Sequence, residues 1–310
     1  MSAHRPPFAA ADVSLGLYIH PEDRDLRVLR RQARRAAEVG FAGVTLAEHH
    51  VDQAGYVANP LLAAASLLGE LSTAWVAAAP TILGLRGVRS VAEDAVWLNA
   101  IFPGRVGLAV GAGYDRGDFD AAGRPFQGRL GRFRRDVADL ARTRLGHRTF
   151  TSTAVSDIPV LVATRGPRNA AAAARAGLGL LLPPLPAPTA RRIVDGYRAE
   201  GGHGPVAIGR WVWVGDPPHA ALATLNAAIG ARPGDLSWRD ADSVITVEAA
   251  PTPGGLAERL VAYAQTSGAT HLHLRIHLPG LAPQEVERQI EVVGRDTLPR
   301  LRSGLVGAVR

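Results

Sequence analysis

Short apolar segments alternate with stretches of helical periodicity along most of this chain. Eight segments are predicted to be strands, at residues 15–19, 43–47, 75–83, 105–111, 159–163, 179–182, 206–214 and 270–276. Each is followed by a helical pattern, and the first of these, at 25–39, stops before Gly40. Eight such units in 310 residues, with no long linker, favour an α/β fold with a single closed (β/α)8 TIM barrel over an open doubly wound sheet. We expect the barrel to span residues 13–302, between a flexible N-terminal tail at 1–12 and a C-terminal tail at 303–310.

The composition excludes several classes of chemistry. The chain has no cysteine, which removes disulfides, thiolate catalysis and zinc–cysteine sites together. The net charge is +7 and the pI is near 10.7, which raises the question of an anionic partner. However, the densest arginine runs, at 27–35 and 129–135, have helical spacing with apolar residues between them. We interpret them as solvated helix faces and expect no nucleic-acid partner.

The N-terminus and the hydropathy pattern predict a cytoplasmic protein. Residues 1–7 contain no apolar signal core. No uninterrupted apolar run approaches the ~20 residues that a membrane-spanning helix needs. We therefore expect neither secretion nor membrane insertion.

Three consecutive titratable residues, Glu48, His49 and His50, follow the predicted strand at 43–47. Side chains at the carboxyl ends of such strands are placed where α/β enzymes carry out chemistry. A histidine there is suited to proton transfer because imidazole titrates near neutral pH. Neighbouring strand residues point to opposite faces and could not hold one ion together, so we expect no metal. The alternative is that His49 only caps the strand end while the other two make structural hydrogen bonds.

Short segments spread from about residue 13 to residue 301 carry a resemblance to one enzyme family. In order they are 40–43 (GFAG), 47–50 (AEHH), 59–60 (NP), 92–94 (AED), 103–106 (PGRV), 111–114 (GAGY), 118–119 (DF), 123–126 (GRPF), 159–163 (PVLVA), 274–281 (LRIHLPGL) and 294–299 (GRDTLP). In these segments the chain resembles the bacterial luciferase-like superfamily of flavin-dependent oxidoreductases. The resemblance is weak between about 183 and 268.

The resemblance implies a flavin-dependent monooxygenase. Such an enzyme would take reduced FMN from a separate flavin reductase and use molecular oxygen to oxidise a small organic substrate. The alanine- and arginine-rich composition is compatible with secondary metabolism. The resemblance also implies a homodimer, formed mainly by the helices after the first strands. Two alternatives stay open, namely an F420-dependent oxidoreductase on the same barrel and a non-catalytic homologue or partner subunit.

The resemblance also assigns residues at the reacting end of the cofactor. His49 matches the catalytic histidine of bacterial luciferases, which makes it the acid–base candidate, and Glu48 is expected to orient it. A gap-free alignment between 48–50 and 92–94 places the family's flavin-facing cis peptide bond between Ala79 and Pro80. We predict that this bond is cis and lies against the flavin, the alternative being an ordinary trans proline.

The flavin phosphate is expected after the fifth predicted strand, where a helix begins at Pro167. Free backbone amides at a helix start attract anions, and arginines beside them strengthen the site. The expected phosphate-binding residues are Thr164, Arg165, Gly166 and Arg168. Further cofactor contacts are implied after the fourth strand, at Gly111, Ala112 and Gly113, although bacterial luciferase has an arginine where this chain has Ala112. The alternative for the two glycines is a tight turn.

Two departures from the family pattern favour the non-catalytic alternative. The connection between the fourth helix and the fifth strand is shortened to residues 143–157. The turn after the third strand, at 83–88 (LGLRGV), lacks the histidine and proline that relatives often carry. Either change could leave the site open.

Overall fold

The strands close into one parallel barrel, as predicted. The computed structural model describes residues 5–20, 23, 26–51, 55–143, 157–231 and 247–308. The strands are β1 (Asp12–Gly16), β2 (Gly43–Leu46), β3 (Trp75–Ile82), β4 (Val106–Gly111), β5 (Val160–Ala163), β6 (Gly179–Leu182), β7 (Val206–Val214), β8 (Val247–Ala250) and β9 (His271–Arg275). Eight of them form the barrel in the order β1-β2-β3-β4-β5-β6-β7-β9, and β9 pairs with β1 to close it.

Helices connect the strands and surround the barrel. They are α1 (Arg27–Glu38), α2 (Pro60–Glu70), α3 (Leu83–Arg86), α4 (Val88–Ile101), α5 (Arg116–Ala121), α6 (Arg129–Arg142), α7 (Pro167–Arg175), α8 (Ala187–Ala199), α9 (His219–Ala231), α10 (Pro253–Ser267), α11 (Pro283–Val292) and α12 (Leu298–Ala308), with a π-helical turn, Val293–Thr297, between the last two. Local interactions explain where some of these helices begin and end. The Asn59 side chain caps α2 by accepting from the Leu62 amide at 3.1 Å. Gly268 ends α10 with φ of 77°, which favours glycine.

One strand was not predicted. β8 lies outside the barrel ring and pairs with the last four residues of β7. The start of β7 pairs with β6 and β9, so this nine-residue strand extends beyond the ring. The sequence of β8, VEAA, is short and includes a charged residue, and these properties gave no strand signal.

The barrel interior is packed by small residues around a few large ones. Trp75, Ala77 and Ala79 of β3 point inward together with Ala109, Leu161, Leu181 and Ala207 of neighbouring strands. Phe8 lies at the amino-terminal ends of the strands, where its ring centroid is 4.9 Å from that of Trp75. A much larger set of buried apolar residues fills the layer between strands and helices. The carboxyl ends of the strands therefore rest on a filled core.

Both ends of the chain differ from the expected tails. Phe8, within the expected N-terminal tail, is fully buried. At the other end α12 continues past residue 302 to Ala308. Arg302 donates to Oδ1 of Asp12 at 2.8 Å and so connects this helix to β1. The packed unit thus extends beyond the expected limits of 13–302.

Two further expectations concern particular segments. Most of the connection predicted to be short, residues 144–156 of 143–157, lies outside the described residues. In the described part of the chain, no helix combines the length and the apolar character needed to cross a membrane.

Candidate active site

The Glu48-His49-His50 segment leaves β2 at the carboxyl end of the barrel and is held there by backbone hydrogen bonds. The Glu48 amide donates to the carbonyl oxygen of Pro80 at 3.0 Å. The His49 amide donates to the carbonyl oxygen of Val57 at 3.2 Å, so the returning loop fixes this segment from its other side. Glu48 and His49 are buried, whereas His50 is exposed. The position expected at the end of the second strand is therefore the observed one.

His49 is held between a carboxylate and a phenol. Its Nδ1 lies 2.7 Å from Oδ2 of Asp118, in α5. Its Nε2 lies 3.0 Å from the hydroxyl of Tyr114, in the loop after β4. The ring of Tyr56 packs edge-on against the imidazole at a centroid distance of 4.6 Å. Contacts on both ring nitrogens and on the ring itself hold the imidazole in one orientation.

Asp118 sets the protonation pattern of this arrangement. Burial raises the pKa of the carboxyl, but hydrogen bonds from His49 and from the backbone amides of His50 and Val51 outweigh it, and the pKa of Asp118 is lowered overall. An ionised carboxylate only accepts hydrogen bonds, so Nδ1 of His49 carries a proton. In the neutral imidazole Nε2 then accepts from the hydroxyl of Tyr114.

The expected role of Glu48 is not the observed one. Its Oε1 pairs with Nε2 of His50 at 2.7 Å, while Oε2 accepts from the hydroxyl of Thr81 and from the Ile82 amide at 2.8 Å. Neighbouring side chains leave a strand end on opposite sides, so Glu48 faces β3 while His49 faces α5. Asp118, and not Glu48, orients His49.

Small residues form an apolar floor beside this group. The Ala79–Pro80 peptide bond is cis, as predicted from the sequence. A Cβ added at Gly111 would lie 3.3 Å from Cβ of Pro80 and 3.8 Å from Cβ of Ala163. The ends of β3, β4 and β5 therefore pack closely against one another, and a larger side chain at Gly111 would press on Pro80. The loop continues through Ala112 to Gly113, whose φ of 70° identifies a turn that favours glycine.

The residues expected to bind phosphate lie together where β5 leads into α7. The hydroxyl of Thr164 accepts from the Gly166 amide at 3.1 Å and shapes this turn. A Cβ at Gly166 would meet nothing within 4 Å, so the space in front of the helix is open. Arg168, in the first turn of α7, is exposed, and Arg165 is half-buried. The structure thus brings backbone amides and two arginine residues to one helix N-terminus.

Sequence reasoning missed two residues of the site, Asp118 and Tyr114. Both lie in segments that carried the family resemblance, at 111–114 and 118–119. A carboxylate soon after a barrel strand was the available signal, but no local pattern connects it to a histidine 69 positions earlier. Among the described residues, no cluster of three or more His, Cys, Asp or Glu side chains could hold a metal ion.

Comparisons with known proteins agree with the fold. A family model described as "luciferase-like monooxygenase" matches residues 9–294. The monooxygenase RslO1 from Streptomyces bottropensis is similar in structure, with a TM-score of 0.74 and 19% identity over 93% of this chain and 99% of that one. The oxygenating constituent of 3,6-diketocamphane monooxygenase from Pseudomonas putida, in complex with FMN, has a TM-score of 0.69 and 16% identity over 94% and 98% of the two chains.

An F420-dependent secondary alcohol dehydrogenase is also similar, with a TM-score of 0.69 and 16% identity over 94% of this chain and 99% of that one. A curated relative, the uncharacterized protein y4vJ of Sinorhizobium fredii, is 32% identical over 92 residues. That match spans 30% of this chain and 26% of the relative. Because the family model covers nearly the whole chain, the protein belongs to the luciferase-like monooxygenase family.

Proposed function

We propose that this protein is a flavin-dependent monooxygenase that uses reduced FMN and molecular oxygen to oxidise a small organic substrate. The observation that carries the proposal is the position of His49 at the carboxyl end of the barrel, where it is held between Asp118 and Tyr114. An ordered histidine with a defined proton position is what acid–base catalysis requires. This order also argues against the non-catalytic alternative.

The residues at the two ends of the site fit FMN. The open helix start at Gly166, with Arg165 and Arg168 beside it, provides the donors that a phosphate accepts from. The floor at Pro80 and Gly111 suits a flat apolar ring, because neither residue projects a large side chain. When bound, FMN would supply the electron transfer to oxygen that no protein side chain here provides.

His49 would move the proton that the oxidation requires. Its Nδ1 keeps its proton and donates it in a hydrogen bond to the ionised Asp118 carboxylate, which stabilises the charged imidazolium. Exchange therefore takes place at Nε2, where the hydroxyl of Tyr114 is the neighbouring group. Tyr114 would pass the proton or keep the imidazole aligned until substrate and cofactor enter.

The proposed partners are a flavin reductase, which supplies reduced FMN, and a second copy of this chain. The homodimer is supported by three large apolar side chains on α2 and α4. These two helices pack against each other. Leu62 is 69% exposed, Trp97 46% and Ile101 63%. Apolar side chains so exposed on adjacent helices indicate a surface that another protein covers.

Cofactor binding tests the proposal. Equilibrium binding of FMN, riboflavin and F420 should show a preference for FMN. Arg168→Ala should weaken the binding of FMN by about tenfold to a hundredfold, because a charge-assisted hydrogen bond to the phosphate contributes roughly 1.5–3 kcal/mol. Riboflavin has no phosphate and should bind both variants equally.

The outcomes separate the candidates. Equal losses for FMN and riboflavin would place Arg168 away from the phosphate. Tight binding of F420 with no binding of FMN would support the F420-dependent alternative and contradict our proposal. Oxygen uptake that depends on reduced FMN and on an organic substrate would support the monooxygenase itself.

A further inference from the structure

Arg275 is an inward-pointing cation at the carboxyl end of the barrel. It pairs in register with Gly16 of β1 and with Trp211 of β7. His273 and His271, two and four positions earlier on β9, point into the barrel interior, where both lie within hydrogen-bonding distance of Ser14. Since side chains alternate along a strand, Arg275 points to the same side, above His273. A Cβ at Gly16 would lie 3.4 Å from Cγ of Arg275, so the glycine makes room for the arginine stem.

The guanidinium of Arg275 has no anionic partner among the residues that the structure describes. Its Nε is buried and makes no hydrogen bond. Its central carbon lies 4.7 Å from the ring centroid of Trp211 and 5.9 Å from that of Tyr18. Aromatic faces stabilise a cation only partly, and an unsatisfied buried donor is costly. By contrast, Arg210 of β7, which points outward to Tyr263 of α10, pairs with Glu248 at 2.8 Å.

Aromatic rings form a continuous wall from this cation to the candidate acid–base residue. The ring of Tyr18 lies 5.3 Å from that of Tyr56, which in turn lies 4.6 Å from the imidazole of His49. His277 stacks on Tyr18 at 5.7 Å. The wall lies at the ends of β1, β2, β9 and β7, whereas the proposed flavin contacts lie at the ends of β3, β4 and β5. Arg275 therefore borders the part of the barrel mouth that the flavin would leave for substrate.

We propose that Arg275 is the anion-binding residue of the substrate site and that the substrate is an aromatic carboxylate. This rests on the proposed function, since it identifies the substrate class of the same site. A guanidinium fork matches a carboxylate with two parallel hydrogen bonds. The aromatic wall that runs from Tyr18 to Tyr56 beside this cation suits a planar ring attached to that carboxylate. A phosphate would need further cations, and within the described part of the chain Arg275 has no second arginine in contact with it.

Binding of matched probes tests this inference without turnover. Naphthalene-2-carboxylate and its neutral amide, naphthalene-2-carboxamide, would be titrated by calorimetry into the FMN-loaded protein. The wild type should bind the carboxylate about tenfold to a hundredfold more tightly than the amide. Arg275→Gln should remove that preference while leaving the amide affinity unchanged. Arg89→Gln, a change at an exposed arginine on α4, is the matched control and should alter neither.

Several results would overturn the inference. One is equal affinity of the wild type for carboxylate and amide, which needs no variant and is decisive even if Arg275→Gln fails to fold. Another is the failure of either probe to bind at millimolar concentration. A third is a loss of FMN affinity in Arg275→Gln, which would make Arg275 a cofactor contact. Failure of the proposed function would instead appear as weak FMN binding by the wild type, measured before any probe is added.

Discussion

Replacing Asp118 with asparagine tests the His49 arrangement most directly, because the change keeps the shape of the side chain. Asp118 is fully buried and accepts three hydrogen bonds, from Nδ1 of His49 at 2.7 Å and from the amides of His50 at 2.8 Å and Val51 at 3.2 Å. The asparagine oxygen can still accept from the two amides. Its NH₂ group then faces Nδ1 of His49, so that nitrogen must become an acceptor and the proton must move to Nε2.

The structure gives the expected magnitudes. A hydrogen bond to a charged group is replaced by a neutral one, which should lower the free energy of unfolding by roughly 1 kcal/mol. Turnover should fall by about 10² to 10⁴-fold, because Nε2 would carry a proton when it is required to accept one. Because the pKa of Asp118 is lowered from its ordinary value of 3.8 on folding, the ionised carboxylate stabilises the fold at pH values above 3.8. This stability is lost as the pH falls through the lower folded-state pKa. The difference between wild type and variant should therefore shrink in acid.

Urea unfolding between pH 7 and about pH 2 and nitrogen-15 NMR of the His49 ring would check these expectations. Asp120→Asn, an exposed change on the same helix, is the matched control and should alter neither stability nor tautomer. An Asp118→Asn variant with wild-type stability and a proton still on Nδ1 of His49 would refute the reasoning. Such a result would mean that the Asp118 carboxylate does not determine the tautomer.

Three further predictions concern other residues. His49→Ala should keep the fold and the FMN affinity but lose about 10² to 10⁴-fold in turnover. His50→Ala should be milder, because that half-buried side chain contacts Glu48 and not Asp118. Steady-state oxygen uptake compares the two variants, and near-normal turnover of His49→Ala would remove His49 from the mechanism. Burial lowers the pKa of His271 from 6.5 to about 4, so the unfolded chain takes up this proton first and stability should fall between about pH 6.5 and pH 4, by at most about 3 kcal/mol. Urea midpoints of His271→Asn should depend less on pH in this range, and an unchanged dependence would contradict the assignment. Leu62→Arg should convert the proposed dimer to a monomer in light scattering, and a wild-type protein that is already monomeric would contradict the dimer.

Local pattern was sufficient for the barrel and for several parts of the site. All eight ring strands were predicted, because each buries a short apolar run whose periodicity is visible without knowing its neighbours. The first of them, expected at 15–19, lies three residues earlier, at Asp12–Gly16. The position of His49 follows from the end of its own strand. The cis bond at Ala79–Pro80 and the placement of Arg168 at a helix start were likewise readable from nearby residues and the family resemblance. The short β8 escaped prediction because it has little apolar periodicity of its own.

The partners of the polar groups, by contrast, were decided only by the tertiary structure. Glu48 adjoins His49 in sequence but faces Thr81, while Asp118 reaches His49 from a helix 69 residues away. Arg275 lies beside Trp211 because barrel closure places β9 between β7 and β1. Periodicity reports which face of a segment is buried, since burial depends on the residue's own hydrophobicity. A hydrogen bond depends on two groups meeting at about 3 Å, and that meeting is set by how the whole barrel closes.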